Sequence, residues 1–346
     1  MNFKAAVLTE TKKPLKIINN LKTPKLKRGQ VLVKVLHSAI CRSQIMEIEG
    51  KRGRDKYIPH LLGHEGAGVV EKIGNGVTKV LPKDKVFLSW IKGDGIEAGG
   101  TKIYDKKKII NAGPITTFSN YSIISENRCF KIPKNFPIKK SVIFGCAVPT
   151  GAGIILNEIK PKKNDSICII GLGGVGLSAL MACKMLKLKN VLVIDIDSKK
   201  INISKKLGFK KNVLFKNSKK IMPKILSLNK GKFFDYTIEC SGKSKSIEFA
   251  FSLTKNFGGK CFFASHPDYN SNIKLKPFDL ISGKNIFGSW GGSSNPQKIA
   301  NTMANFFLKN KRFLDLYFSK EYGLDNINKA IKDFKYKSTI KIILNN

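Results

Sequence analysis

The stretch Ser166-Ile167-Cys168-Ile169-Ile170-Gly171-Leu172-Gly173-Gly174-Val175-Gly176 decides the fold. Residues 166–170 read as a buried parallel strand, 175–188 as a helix, and Val191-Leu192-Val193-Ile194 as a second strand ending on Asp195. A G-x-G-x-x-G run alone recurs by chance. Its weight comes from the setting: strand, glycine turn, helix, strand, and an acid about twenty residues on. Gly171 permits the turn out of the strand, Gly173 lets backbone approach a pyrophosphate, and Gly176 lets helix and strand pack closely. Val175 opens the helix, with Gly174 just before it, and the free N–H groups and positive dipole end there suit phosphates. Asp195 can accept from the adenosine ribose hydroxyls and would repel a 2′-phosphate, so NAD is expected rather than NADP. The competing reading is a tight turn in an α/β domain that binds no nucleotide.

Working outward, the pattern from Pro149 onward alternates strands (167–170, 191–194, 236–239, 260–264) with helices (175–188, 198–207, 246–254), the mark of a doubly wound parallel sheet. Upstream, 4–8, 30–37, 66–73 and 86–90 read as short strands, with Gly74-Asn75-Gly76 as a turn. Residues 89–111 are polar, glycine- and lysine-rich, and read as a long irregular loop. Residues 296–308 read as a helix and 340–344 as a closing strand. The fold class is α/β. The glycine turn lies mid-chain, so nearly 150 residues of another domain precede it and are expected to carry the chemistry.

Composition bounds the partners. The 346 residues suit two domains, and 42% hydrophobic with 25% charged residues is ordinary for a globular protein. Residues 166–183 lack charge over 18 positions, but the four glycines among them argue for a buried strand–turn–helix rather than a membrane span. The N-terminus has no signal-peptide shape, so a cytoplasmic protein without a membrane partner is expected. Seven scattered cysteines give no disulfide framework. The net charge of +39 could mean nucleic-acid binding, yet only six of the 63 basic residues are arginine and the lysines spread along the whole chain. That spread, with abundant Ile and Asn, looks like the composition of an A/T-rich genome, so no specific nucleic-acid partner is expected.

Two short runs suggest a metal: Ile40-Cys41-Arg42-Ser43-Gln44, and Leu62-Gly63-His64-Glu65-Gly66, with Gly145-Cys146 further on. Two thiolates and an imidazole fit zinc with one position left open, though no C-x-x-C pair exists and spacing alone is a weak signal. With Thr117-Phe118-Ser119-Asn120-Tyr121, Thr150-Gly151, the glycine run and Asp195, these residues resemble the zinc-dependent medium-chain alcohol dehydrogenase family over essentially the whole chain. The resemblance implies a mostly β, GroES-like catalytic domain over 1–147 and 290–346, and a Rossmann domain binding NAD over 148–289. It implies Cys41, His64 and Cys146 as ligands of a catalytic zinc, with Glu65 beside or visiting them. It places Arg42 at the cofactor pyrophosphate, Thr150 near the nicotinamide and Lys200 by the adenosine ribose. It implies hydride transfer between an alcohol and NAD, or back to an aldehyde or ketone, with Lewis-acid help from the metal and Ser43 carrying the proton. A homodimer or homotetramer is expected, as in relatives.

Three departures qualify this. The loop 89–111 has none of the four cysteines that hold a structural zinc in many members, so one zinc per chain is expected. Met46 stands where some members end a proton relay on histidine; His60 is a substitute by proximity in sequence only. Gln44 replaces an aspartate, so any support it gives a ligand imidazole is uncharged. Trp90, Phe118, Phe144 and Trp290 are candidates to line an apolar pocket, or simply core, and the lysines of 102–108 suggest an anionic or sugar-like alcohol. The alternatives are a zinc-free quinone- or enoyl-type reductase on the same scaffold, and a basic NAD-binding protein without dehydrogenase activity.

Overall fold

In a computed structural model, which describes residues 1–105, 108–216, 221–336 and 338–346, strands dominate the first part of the chain. In order come β1 (Asn2–Leu8), β2 (Lys16–Lys22), β3 (Gln30–Ala39), the short helix α1 (Arg42–Ile48), β4 (His60–Leu61), β5 (Glu65–Ile73), β6 (Lys85–Ser89), β7 (Thr101–Asp105), β8 (Lys108–Ala112), β9 (Tyr121–Ser125) and β10 (Cys129–Lys131). Alternation in the middle strands explains their burial. Val31, Val33 and Val35 of β3 face Val70, Val86 and Ile124 in one apolar cluster. After the second unit, the chain returns with α8 (Pro296–Lys309), α9 (Lys311–Asp315), β17 (Phe318–Gly323), α10 (Ile327–Tyr336) and β18 (Lys341–Asn345).

These elements form one compact unit, Met1–Cys146 with Asn295–Asn346. It holds a five-stranded sheet ordered β2-β1-β4-β8-β7 and a larger one ordered β10-β6-β5-β3-β18-β17, with β9 also on β3. The placement of β18 matters most. It pairs antiparallel with β3, setting Ile343 opposite Ala39 and Leu344 opposite Ser38, so a segment near residue 341 lies beside the segment leading to Cys41.

One expectation is corrected here. Residues 89–111 are not irregular throughout: β7 and β8 form an antiparallel hairpin running into this stretch, with Thr101 opposite Ala112 and Tyr104 opposite Ile109. The alternation was hidden because each strand buries little, mainly Ile103 on one and Ile110 with Ala112 on the other, among lysines and polar residues. Lys106 and Lys107, two of the lysines of 102–108, lie outside the described residues.

The second unit is Ala147–Ser294. It contains α2 (Ala147–Gly153), then β11 (Ile167–Ile170), α3 (Gly174–Met185), β12 (Val191–Asp195), α4 (Ser198–Lys206), β13 (Lys211–Leu214), α5 (Ile221–Leu228), β14 (Tyr236–Glu239), α6 (Ser244–Ser252), β15 (Lys260–Phe263), α7 (Pro277–Ile281) and β16 (Asn285–Gly288). Its sheet is ordered β13-β12-β11-β14-β15-β16 and every neighbouring pair is parallel. The order reverses beside β11, so the turn leaving β11 stands at the switch point where ligands of such sheets bind. The uncharged run 166–183 is this strand, turn and helix, buried almost throughout. No single helix among the described residues is long and apolar enough to cross a membrane.

Candidate metal centre and dinucleotide turn

In the first unit, α1 begins on Cys41 as its N-cap, and the Cys41 backbone N–H donates to the Gln44 side chain at 2.9 Å. Ile45 and Ile48 of that helix sink into a cluster with Ile40, Leu62, Phe118 and Ile342. Three of these neighbours, Ile40, Leu62 and Ile342, sit one or two positions from Cys41, His64 and Lys341, so a single apolar core gathers three distant segments. Gly63 makes the approach of His64 possible: its φ is +93°, and a Cβ there would lie 2.4 Å from Thr117 Oγ1 and 2.6 Å from the Phe118 nitrogen. Gly145 does the same for Cys146, since a Cβ would meet the Leu88 carbonyl at 2.3 Å and Glu65 Cβ at 2.6 Å.

The result is a cluster of Cys41, His64, Glu65 and Cys146 whose donor atoms all lie within 4.8 Å of one another. Glu65 and Cys146 are buried, Cys41 and His64 half-buried. The Ser43 hydroxyl donates to Cys41 Sγ at 3.4 Å. The Cys146 thiol, sharing its proton with Cys41, holds Cys41 well below the ordinary thiol range against the opposing effect of burial. Cys146 is pushed well up by the same hydrogen bond and by burial. His64 Nε2 and Glu65 Oε2 are buried with no hydrogen-bond partner. Buried polar atoms are rarely left so. Two thiols, an imidazole nitrogen and a carboxylate oxygen converging without enough protons among them are what a divalent cation would satisfy. The residues therefore fit zinc.

One member of this site escapes sequence reasoning. Lys341, on β18 and only 3% exposed, makes an ion pair with Glu65 Oε1, and Glu65 is 0% exposed. Burial alone would lower the Lys341 ammonium, but the Glu65 carboxylate and the two thiols outweigh it and raise it. Burial raises Glu65 against the pull of Lys341. The available signal was a lysine inside the apolar run Ile340-Lys341-Ile342-Ile343-Leu344, since a buried lysine needs a partner.

The other candidates of this unit fall as follows. Arg42 is exposed at the first position of α1. Met46 is buried. Gln44 departs from its expected place: its carbonyl oxygen is spent on the helix cap rather than on an imidazole, because at the third helical position it reaches back to the N-cap N–H. His60 donates through Nδ1 to the Leu61 carbonyl at 2.9 Å and meets Asp55 through Nε2 at 2.8 Å, with Glu47 at 3.9 Å. Phe118 and Phe144 are fully buried core. Lys102 and Lys108 stand exposed on the hairpin.

The cysteine-free loop preceding that hairpin is tied down by carboxylates. Glu126 accepts the backbone N–H groups of Thr78 at 2.6 Å, Lys79 at 2.9 Å and Ile96 at 2.8 Å. Arg128 bonds the Trp90 carbonyl and pairs with Glu97 at 3.2 Å.

In the second unit, Gly171 has φ +89°, and a Cβ on Gly176 would meet the Gly171 oxygen at 1.9 Å, so β11 and α3 close only around glycine. At Gly173 a Cβ would meet nothing within 4 Å. The open space there is what a pyrophosphate approaching the backbone requires. Gly173 is the N-cap of α3, and Gly174, Val175 and Gly176 follow as its first turn, where N–H groups lack intrahelical partners. Asp195 ends β12 and is buried, accepting from Leu172 N at 2.6 Å and Asp197 N at 2.9 Å. The acid and the glycine turn are thus one hydrogen-bonded piece. Lys200 is half-buried on α4, Thr150 is buried in α2, and Trp290 is 71% exposed just after β16.

A doubly wound sheet in one unit and a thiolate–imidazole–carboxylate cluster in the other define the class: a metal- and dinucleotide-dependent oxidoreductase. Two family models match, "Alcohol dehydrogenase GroES-like domain" over residues 27–134 and "Zinc-binding dehydrogenase" over residues 174–309. Among curated relatives, the chain is 28% identical to alcohol dehydrogenase class-3 of Drosophila melanogaster, covering 99% of this chain and 97% of that one. It is 27% identical to S-(hydroxymethyl)glutathione dehydrogenase of Paracoccus denitrificans, covering 95% and 96%. Its fold matches the crystal structure of benzyl alcohol dehydrogenase from Acinetobacter calcoaceticus at a TM-score of 0.85 and 24% identity, over 100% of this chain and 99% of that one. The chain belongs to the zinc-dependent medium-chain alcohol dehydrogenase family and is a zinc-dependent oxidoreductase acting between alcohols or aldehydes and NAD.

Proposed function

We propose that Cys41, His64 and Cys146 hold a single catalytic zinc, with Glu65 beside them, and that the segments Met1–Cys146 and Asn295–Asn346 form the catalytic domain. Ala147–Ser294 is the NAD-binding domain, with the pyrophosphate on Gly171, Gly173, Gly174, Val175 and Gly176 and the ribose on Asp195. The observation that carries this reading is the convergence of four donors within 4.8 Å, two of them with orphaned buried atoms. It also speaks against a zinc-free reductase on the same scaffold, which has no use for such a cluster. When bound, zinc supplies Lewis acidity to a substrate oxygen. The chain's own part is to orient that site and move a proton. The bond of the Ser43 hydroxyl to Cys41 supports Ser43 as the carrier. Met46 cannot pass a proton on, so the route leaves through ribose or water. By the family resemblance alone, Arg42, Thr150 and Lys200 are assigned to the cofactor.

No disulfide joins any of the seven cysteines, which suits the reducing cytoplasm. A homodimer is our reading of assembly. β16 is an edge strand; Phe287 on it and Phe278 and Ile281 shortly before it are exposed, as is Phe257, whose N–H donates to the Ser282 carbonyl at 2.8 Å. The test of function is a panel of alcohols and aldehydes with NAD and NADP, with metal content measured before and after a chelator. One zinc per chain, and turnover with NAD lost on its removal, is the expected result. Full turnover in metal-free protein would overturn it.

A further inference from the structure

We infer that Lys341 is a positioning residue for Glu65, holding the carboxylate by Oε1 so that it stays off the metal and leaves a coordination position open. The inference rests on the metal reading above and adds to it the residue that controls the carboxylate.

Lys341 is 3% and Glu65 0% exposed, and they are brought together across 276 positions of sequence by the pairing of β18 with β3 and of β3 with β5. Such a pair is expensive to desolvate, and removing one partner leaves the other as an uncompensated buried charge. The two carboxylate oxygens are in unlike surroundings: Oε1 is taken by the ammonium, whereas Oε2 is buried without a partner. Glu65 meanwhile offers an oxygen within 4.8 Å of the Cys41, Cys146 and His64 donors. Two thiolates and a carboxylate carry three negative charges; a divalent ion and the Lys341 ammonium carry three positive ones. With Lys341 present the loaded site is neutral, and the carboxylate has a partner other than the metal. Without Lys341 the carboxylate has only the metal to turn to, and would close the position that a substrate oxygen needs. The lysine therefore keeps a negative group near the metal while withholding it as a full ligand.

The experiment compares wild-type protein with Lys341→Met, Lys341→Arg, Glu65→Gln and the double substitution. Three quantities are read: the rate of zinc loss to a chelator, the visible spectrum after replacement of zinc by Co²⁺, and the NAD dissociation constant by fluorescence. Lys341→Met is expected to slow metal loss about tenfold, the scale of effects of groups that orient metal ligands, and to change the Co²⁺ spectrum. Lys341→Arg restores both. If Lys341→Met does not fold, the comparison moves to the neutral background: with Glu65→Gln in place, replacing Lys341 should leave metal retention unchanged. Metal retention and spectrum unaffected by Lys341→Met overturns the inference. So does a weakened NAD affinity as the only change, or an equal effect on metal retention with Glu65→Gln in place. A wild-type protein that binds no divalent ion overturns the metal reading itself, and that outcome is seen before any variant is made.

Discussion

The glycine turn and the metal cluster are built on opposite principles. The turn is contiguous, with Gly171, Gly173 and Gly176 within six residues and Asp195 tied directly to Leu172. Its proposed ligand groups are backbone N–H groups, which every residue but proline has, and its specificity would come from the absence of side chains. The cluster uses side chains only, from Cys41, His64, Glu65, Cys146 and Lys341, spread over 300 positions. Backbone sites are set by local geometry. Side-chain sites must be assembled by packing, and here one apolar core holding Ile40, Leu62 and Ile342 does it. The difference should appear in how each fails.

The largest effect is expected at the cluster. Cys146→Ser removes a proposed metal ligand, and loss of Lewis-acid assistance worth several kcal/mol predicts a fall in kcat of about a thousandfold or more. Zinc content should fall with it while NAD still binds. Retained zinc and turnover would break the distinction drawn here. Metal analysis that finds two zinc ions per folded wild-type chain would break the expectation that the cysteine-free loop near Glu126 holds none.

At the turn, two glycines should part company. Gly176→Ala meets the Gly171 oxygen and should both destabilise the domain and abolish NAD binding. Gly173→Ala meets no protein atom, so the melting temperature should hold while the KM for NAD rises about tenfold, roughly the loss of one charge-assisted hydrogen bond. Equal thermal penalties at the two positions would show that the open space at Gly173 has no ligand role. Asp195→Ser should narrow the preference for NAD over NADP by removing the carboxylate proposed to repel a 2′-phosphate. A preference unchanged in steady-state kinetics would place the discrimination elsewhere.

The smallest effect concerns the scaffold beneath the turn. Burial would raise Asp235, but Lys255 and the Ser166 N–H and hydroxyl hold it below the ordinary carboxyl range. Its stabilisation is therefore complete above its unfolded value, about 3.9, and is lost as pH falls through the lower folded value. Asp235→Asn should flatten the dependence of melting temperature on pH in that acid window and leave the metal cluster untouched. Parallel curves for both proteins would rule this out.

Most of the α/β sheet was readable because strands buried on both faces are continuous apolar runs and the glycine turn separates them sharply. The hairpin of β7 and β8 was not, because two or three buried residues among lysines make no visible period. Cys41, His64 and Cys146 could be named, but only through a resemblance; nothing in their spacing says that they meet. Gln44 shows the limit from the other side, since its role as a helix cap depends on where α1 starts.

By itself, the sequence determined a strand, glycine turn and helix with an acid beside them, since backbone geometry there depends on residues next to each other in the chain. It also determined that the loop before the hairpin carries no cysteine to hold a metal. The tertiary structure alone decided that Lys341 stands against Glu65. A lysine in an apolar strand announces only that it must be paired. Which carboxylate pairs with it is settled by strand order, because β18 lies on β3 and β3 on β5, and a buried charge accepts whichever opposite charge the sheet brings within reach.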